Sequence, residues 1–84
     1  MPHARPDPAL AATVRRLRED RGVTREALAM CAGVTVGSLA QIELARGSPS
    51  WDTFKRLASA LDLPTGRLAD AIEAETASHA TAGP

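Results

Sequence analysis

The segment from Arg25 to Leu44 constrains the fold most, because small and apolar residues recur in it at a fixed spacing. Ala29 lies where two short helices would cross, and only a small side chain lets them approach closely. Gly33 follows four positions later, in a turn where a positive φ costs glycine little. Leu39 and Ile42 follow six and nine positions after that glycine. This spacing predicts two short helices packed against each other across a tight turn.

Capping residues divide the rest of the chain into helices as well. Asp7 and Pro8 fit the N-cap and first position of an opening helix, which Gly22 ends. Three further N-cap residues each precede an apolar run with helical period: Thr24, Thr35 and Ser50. Pro64 and Thr65 open a fifth helix. No stretch alternates convincingly with the period of a strand, so we expect an all-α fold of five short helices.

We expect one folded domain over residues 8–74, because a chain of 84 residues leaves room for a single small domain. Residues 1–7 contain two prolines and little apolar content, which predicts a flexible N-terminal arm. Residues 75–84 are small and polar and end in Gly-Pro, which predicts a disordered tail.

Composition excludes several classes of protein. Apolar residues make up 44% of the chain and charged residues 24%, as in a soluble globule. No apolar run approaches the roughly 20 residues that span a bilayer, and no apolar segment of a signal peptide opens the chain. Cys31 alone can form neither an intrachain disulfide nor a cysteine-based zinc site. We therefore expect a cytoplasmic protein without membrane association or metal.

The formal net charge is zero, but its distribution is uneven. Residues 1–58 carry nine Arg and Lys against six Asp and Glu, whereas residues 59–84 carry one against four. A mildly basic body with an acidic C-terminal end could still present a basic face to an anionic partner.

Three stretches of the chain resemble a known family: VRRLREDRGVTREALAMCAGVT, SLAQIE and SPSWDTFKRLASALDL. The resemblance extends over Leu10 to Ile72 and is to the phage-repressor-like (XRE-type) helix-turn-helix DNA-binding domain. It implies a five-helix, lambda-repressor-like fold that binds double-stranded DNA in a sequence-specific manner, usually as a dimer. It also implies a transcriptional regulator, more often a repressor than an activator, whose third helix enters the major groove.

The outward residues at the start of the third helix are the candidate base readers: Val36, Gly37, Ser38 and Gln41. Ser38 and Gln41 can hydrogen-bond to base edges, and Val36 can touch a thymine methyl group. Gly37 would let the backbone come close to DNA. The family usually carries more polar or basic residues here, so further discrimination would come from DNA shape or from arginines outside the helix.

Five residues are candidate phosphate contacts: Arg25, Thr35, Arg46, Ser48 and Lys55. Arg25 opens the second helix, whose N-terminal amides favour anions. Family members commonly carry an amide side chain there, and arginine keeps that role. Arg46 follows the third helix in a loop where family members often meet the DNA backbone. For Arg25, Arg46 and Lys55 the alternative is a solvated surface cation.

The resemblance assigns a structural role to Arg18 and Glu43, which match an Arg–Glu pair joining the first helix to the third. Such a pair would fix the orientation of the third helix. Trp51, at the start of the fourth helix, is expected to pack as a lid over the preceding loop.

The fifth helix looks more apolar than a small core needs, and four of its residues predict a homodimer interface: Leu63, Leu68, Ala69 and Ile72. The dimer could form only on DNA. The alternative is that Leu68 and Ile72 merely close the core of one chain.

Two other functions compete with DNA binding. A protein-interaction module on the same fold, such as an antitoxin or a domain that binds a regulator, would fit the zero net charge and the apolar third helix. An enzyme is disfavoured, because the sequence offers no nucleophile–base pair, metal cluster or Gly-rich phosphate loop. We expect no cofactor, and no small-molecule effector is evident.

Overall fold

The computed structural model describes residues 7–81, with side chains as far as residue 78. These residues form five helices: α1 (Pro8–Asp20), α2 (Arg25–Ala32), α3 (Val36–Glu43), α4 (Trp51–Ala60) and α5 (Thr65–Thr81). No strand occurs between residues 7 and 81. The predicted all-α, five-helix architecture is therefore confirmed. Over the same part of the chain, no helix is long and apolar enough to cross a membrane.

Each of the first four helices begins beside the residue predicted to cap it. The Asp7 carboxylate accepts hydrogen bonds from the amides of Ala9 and Leu10 at 2.9 and 3.4 Å. The hydroxyl groups of three residues accept from the amide three positions onward at 3.0–3.1 Å: Thr24, Thr35 and Ser50. Each cap satisfies an amide that would otherwise lack a partner in the first helical turn.

Gly33 allows α2 to end and the chain to turn directly into α3. Its φ of 71° and ψ of 32° lie in the left-handed region, which glycine enters without the steric cost that a Cβ imposes. The following amide, of Val34, donates to the carbonyl of Ala29 at 3.0 Å and closes the helix end. A Cβ at Gly33 would also lie 2.9 Å from Nη1 of Arg56.

All five helices contribute to one core. Its largest fully buried apolar side chains are Val14, Leu28, Leu39, Leu57, Leu61 and Leu68. Ala29 is also buried, as expected for the small residue that lets α2 and α3 pack closely. Helix α3 packs against α1 and α2, whereas α4 packs against α2 and α5.

The packing of the fifth helix contradicts two residues of the predicted dimer interface. Leu68 is fully buried and Ile72 nearly so, because both pack into the core of this chain. Neither can lie on the surface of the folded monomer, so their assignment to an interface is wrong. Leu63 is half-buried against the core, and Ala69 is exposed.

The fifth helix also continues to Thr81, through residues predicted to be a disordered tail from position 75. A carboxylate oxygen of Glu75 lies 4.0 Å from Nε of Arg16 on α1, and the Thr76 hydroxyl donates to the carbonyl of Ile72 at 2.9 Å. Extending a helix that is already packed costs much less than starting one. Residues 82–84 of the predicted tail and 1–6 of the predicted arm lie outside the described residues, and Asp7 belongs to the fold as a cap.

A buried carboxylate joins α1 to α3. Nε of Arg18 donates to Oε2 of Glu43 at 2.8 Å, and Nη2 donates to Oε1 at 3.1 Å. Nη1 of the same guanidinium donates to the carbonyl of Val23 at 2.9 Å. The Glu43 side chain is fully buried and that of Arg18 is 12% exposed. This two-pronged geometry fixes direction as well as distance, so it sets the orientation of α3 against α1.

Arg25 contributes a second guanidinium to the same carboxylate, which the sequence did not predict. Its Nε donates to Oε1 of Glu43 at 3.2 Å, and the side chain is 33% exposed. Arg18, Arg25 and Glu43 together are called the Glu43 cluster below. The hydrogen bonds to Glu43 raise the pKa of Arg18 above its usual value. A group whose pKa is raised by folding stabilises the folded state until the pH rises through its folded-state pKa. The Arg18–Glu43 interaction therefore stabilises the protein up to strongly alkaline pH.

We expect Glu43→Ala to lower the free energy of unfolding by about 3 kcal/mol, because it leaves the mostly buried Arg18 guanidinium without its carboxylate partner. Arg18→Ala should lower it by less, because Arg25 still donates to Glu43. The double variant should lose less than the sum of the two single losses. Urea denaturation of the four proteins measures this difference. Strict additivity would show that the two side chains do not interact in solution.

Candidate nucleic-acid interface

Helix α3 has one side in the core and the other in solvent. Leu39, Ile42 and Glu43 are buried. The four candidate base readers all lie on the exposed part of the helix: Val36, Gly37, Ser38 and Gln41. The structure therefore brings these four residues together on one accessible surface, which we call the α3 surface.

The polar groups of the α3 surface are free to bind a partner. Within the described residues, neither the Ser38 hydroxyl nor the Gln41 amide side chain takes part in a hydrogen bond. Ser38 can donate and accept one, and the amide of Gln41 can do both at once. Val36 adds an exposed apolar group beside them. The surface thus combines hydrogen-bonding groups with a small apolar contact, and it carries no charge of its own.

Gly37 has no packing reason to be glycine. A Cβ built there meets no atom within 4 Å, and its φ is not positive. Gly66, at the second position of α5, is equally unconstrained. A residue without a side chain in the middle of the α3 surface leaves the backbone open to close approach by a partner.

Three of the candidate phosphate contacts flank α3 in sequence or space. Thr35 is the N-cap of α3, and its hydroxyl oxygen accepts from the amide of Ser38. Arg46 is exposed in the loop after α3, and its amide donates to the carbonyl of Gln41 at 2.8 Å, which holds the loop against the helix end. Arg25 reaches α3 through Glu43.

The two remaining candidates lie further along the chain. Ser48 is exposed in the loop that leads to α4. Lys55 is on α4, with its Nζ 5.9 Å from the centroid of the Trp51 ring. Helix α4 itself packs against α2 and α5.

The start of α4 presents an aromatic surface. Trp51 is 66% exposed, so the predicted lid over the preceding loop is wrong. Its ring instead stacks against that of Phe54, with centroids 5.8 Å apart and planes 13° from parallel. An open groove of about 440 Å³ beside these rings is also lined by Leu10, Pro49 and Ala69.

Comparisons with known proteins place the fold in a family. A model of the helix-turn-helix domain matches residues 9–72. The comparison with curated proteins found no match. Among solved structures, the chain is similar to the clp gene regulator ClgR from Corynebacterium glutamicum. The two are 28% identical with a TM-score of 0.83, over 95% of this chain and 85% of that one.

Two further structures support the same relationship. The restriction-modification controller protein C.AhdI from Aeromonas hydrophila is 26% identical with a TM-score of 0.70, over 73% of this chain and 92% of that one. An HTH_3 family transcriptional regulator from Vibrio cholerae is 29% identical with a TM-score of 0.72, over 81% of this chain and 39% of that one. Because the family model matches well over half of the chain, the protein belongs to the helix-turn-helix domain family, as its resemblance to the phage-repressor-like (XRE-type) domains implied.

Proposed function

We propose that this protein is a transcriptional regulator that binds double-stranded DNA sequence-specifically, with α3 in the major groove. The observation that carries the proposal is the α3 surface, whose hydrogen-bonding side chains have no partner within the described residues while the opposite side of the helix is anchored by Glu43. The major groove is about 12 Å wide and admits one α-helix. Similarity to two gene regulators and a controller protein supports a regulatory role.

In this proposal Ser38 and Gln41 hydrogen-bond to base edges, and Val36 contacts a thymine methyl group. Gly37 lets the helix backbone approach the groove. We favour repression over activation, because a protein that occupies a promoter blocks it without further contacts, whereas activation needs an additional surface for the transcription machinery.

The proposed phosphate contacts are Arg25, Thr35, Arg46, Ser48 and Lys55. The Thr35 hydroxyl accepts from a backbone amide and still has a proton to donate to a phosphate oxygen. Arg46 is exposed at the other end of α3. The three cations of this set, Arg25, Arg46 and Lys55, would supply the positive charge that α3 itself lacks.

The test is selection of bound duplexes from a random pool, followed by affinity measurements across a range of salt concentrations. A DNA-binding protein must lose affinity as salt rises, because each phosphate contact releases about 0.9 counterion. We expect an enriched sequence. We also expect the logarithm of the binding constant to fall with the logarithm of the salt concentration with a slope of several units. Failure to enrich any duplex, with no salt-dependent binding at low salt, would overturn the proposal.

The second candidate is a protein-interaction module on the same fold. It is favoured by the absence of Lys and Arg from α3 and by the exposure of Val36 and Leu44, which are 39% and 48% accessible. This function predicts binding to a partner protein with little dependence on salt. The duplex selection separates the two candidates.

We expect Gly37→Ala to weaken DNA binding while leaving the fold intact or slightly more stable. Alanine suits a helix better than glycine by up to about 0.5–1 kcal/mol, and the new Cβ meets no atom of the protein. On DNA, the same Cβ would stand between the helix and the groove.

The matched control is Gly66→Ala, because Gly66 is also the second residue of a helix and also has nothing within 4 Å of its Cβ. It should change the melting temperature in the same direction and leave affinity for a single half-site, where no dimer contact contributes, unchanged. Equal affinities of the two variants would show that DNA does not contact the α3 surface at Gly37.

We expect Gln41→Ala to relax the preference at one base pair by about 1–3 kcal/mol, since a side-chain amide discriminates between bases by its hydrogen bonds. Affinities for the selected site and for its single-base variants measure this preference. A uniform loss over all sites would assign Gln41 to the DNA backbone instead.

We propose that two copies bind one operator, because the few polar groups of one α3 cannot specify a long site. Ala69 and the accessible part of Leu63 are the members of the predicted interface that remain at the surface. Two half-sites about 34 Å apart would match a two-fold dimer.

Gel shifts on one half-site and on a palindrome, with sedimentation for stoichiometry, test this assembly. We expect two chains on the palindrome and tighter binding than two independent sites allow. One bound chain, or two without a gain in affinity, would contradict the dimer.

A further inference from the structure

We propose that Glu43 is a positioning residue for DNA contact, which holds the Arg25 guanidinium by its Nε so that the two Nη groups bind a backbone phosphate. The inference rests on the proposed DNA binding, and it adds how one contact is oriented and which internal residue orients it. Glu43 itself is fully buried and touches no DNA.

The two arginines of the Glu43 cluster use their nitrogens differently. Arg18 employs all three, since Nε and Nη2 donate to Glu43 and Nη1 donates to the carbonyl of Val23. Arg25 employs only Nε, and its Nη groups have no hydrogen-bond partner among the described residues. Arg18 is 12% exposed and Arg25 33%. Arg18 therefore completes the internal pair, while Arg25 has four N–H donors left for a ligand.

The net charge of the Glu43 cluster also favours an anionic ligand at Arg25. Arg18 alone neutralises the Glu43 carboxylate, so the second guanidinium leaves the cluster with a surplus of one positive charge. That surplus lies on the more exposed of the two arginines, at the first residue of α2. A phosphate group carries the opposite charge, and its oxygens can accept two parallel N–H groups of one guanidinium.

Fixing Arg25 before binding improves affinity. A free arginine side chain loses much rotational freedom when a ligand orders it, and that loss opposes binding. The bond from Nε to Glu43 restricts the side chain in the unbound protein, so less freedom remains to be lost. The planar guanidinium can bond to Glu43 and to a phosphate at once, which the single ammonium of lysine does poorly.

The first test compares Arg25→Gln and Arg25→Lys on the selected duplex across a range of salt concentrations, with Arg67→Gln as the control. Arg67 is an exposed arginine on α5, a helix that packs against α1 and α4. We expect Arg25→Gln to reduce the salt slope by about one unit per chain, because an amide carries no charge and neutralises no phosphate, even where it still hydrogen-bonds to one. Arg25→Lys should keep the slope and weaken binding about tenfold, because it keeps the charge without the fork.

Arg67→Gln should leave both quantities unchanged. Melting temperatures show that each variant is folded, and a purely structural role of Arg25 would lower the melting temperature without altering the salt slope. An unchanged slope in Arg25→Gln, or wild-type affinity in Arg25→Lys, would overturn the proposal. Failure of the wild-type protein to bind any duplex would instead overturn the proposed function.

The second test follows the arginine Nε–H groups by NMR exchange with water. We expect the Nε proton of Arg25 to exchange more slowly than that of Arg67 in the free protein, and to stay protected in the DNA complex. Exchange as fast as that of Arg67, or loss of protection on binding, would show that Glu43 does not hold Arg25 for the phosphate.

Discussion

The carboxylate of Glu43 is the group on which the arrangement of this domain depends. It lies in the protein interior, where an unpaired charge would be strongly destabilising, and it receives hydrogen bonds from Arg18 and Arg25. Helix α3 has only eight residues and includes a glycine, so it is too short to be stable in isolation. Its position is therefore set by what it buries, which is Leu39, Ile42 and this carboxylate.

An anchor on one side of α3 leaves the other side free for a partner. The α3 surface offers a hydroxyl, an amide, a small apolar group and a glycine, and it carries no charge. An anionic ligand such as DNA must therefore bind to cationic side chains outside α3. Arg25 and Arg46 flank the helix, and Arg25 belongs to the same cluster that orients it. In the proposed complex, one carboxylate would thus position both the α3 surface and the Arg25 cation.

Features set by a few neighbouring residues could be predicted from the sequence. The caps at Asp7, Thr24, Thr35 and Ser50 depend on amides two or three positions away, and the left-handed Gly33 depends on a local turn. The resemblance to a known family placed Arg18 and Glu43 opposite each other, although they are 25 positions apart.

Features that depend on packing could not be predicted in this way. The contact between Arg25 and Glu43 spans 18 positions, and no periodic pattern marks it. Leu68 and Ile72 have an apolar pattern that fits an interface as well as a core, and only the packing of α5 against α1 and α4 distinguishes the two. The continuation of α5 beyond residue 74 also has no apolar pattern to mark it, because a helix that is already packed propagates through residues that would not start one.

The most direct measurement is a titration of the ¹⁵N-labelled protein with its selected duplex, followed by the chemical shifts of every backbone amide. If α3 enters the groove while the Glu43 cluster holds it, the largest changes should fall on residues 35–41 and at Arg25 and Arg46. Residues of α5 should change little apart from those at a dimer contact. Changes concentrated around Trp51 and Phe54, with residues 35–41 unaffected, would contradict the account.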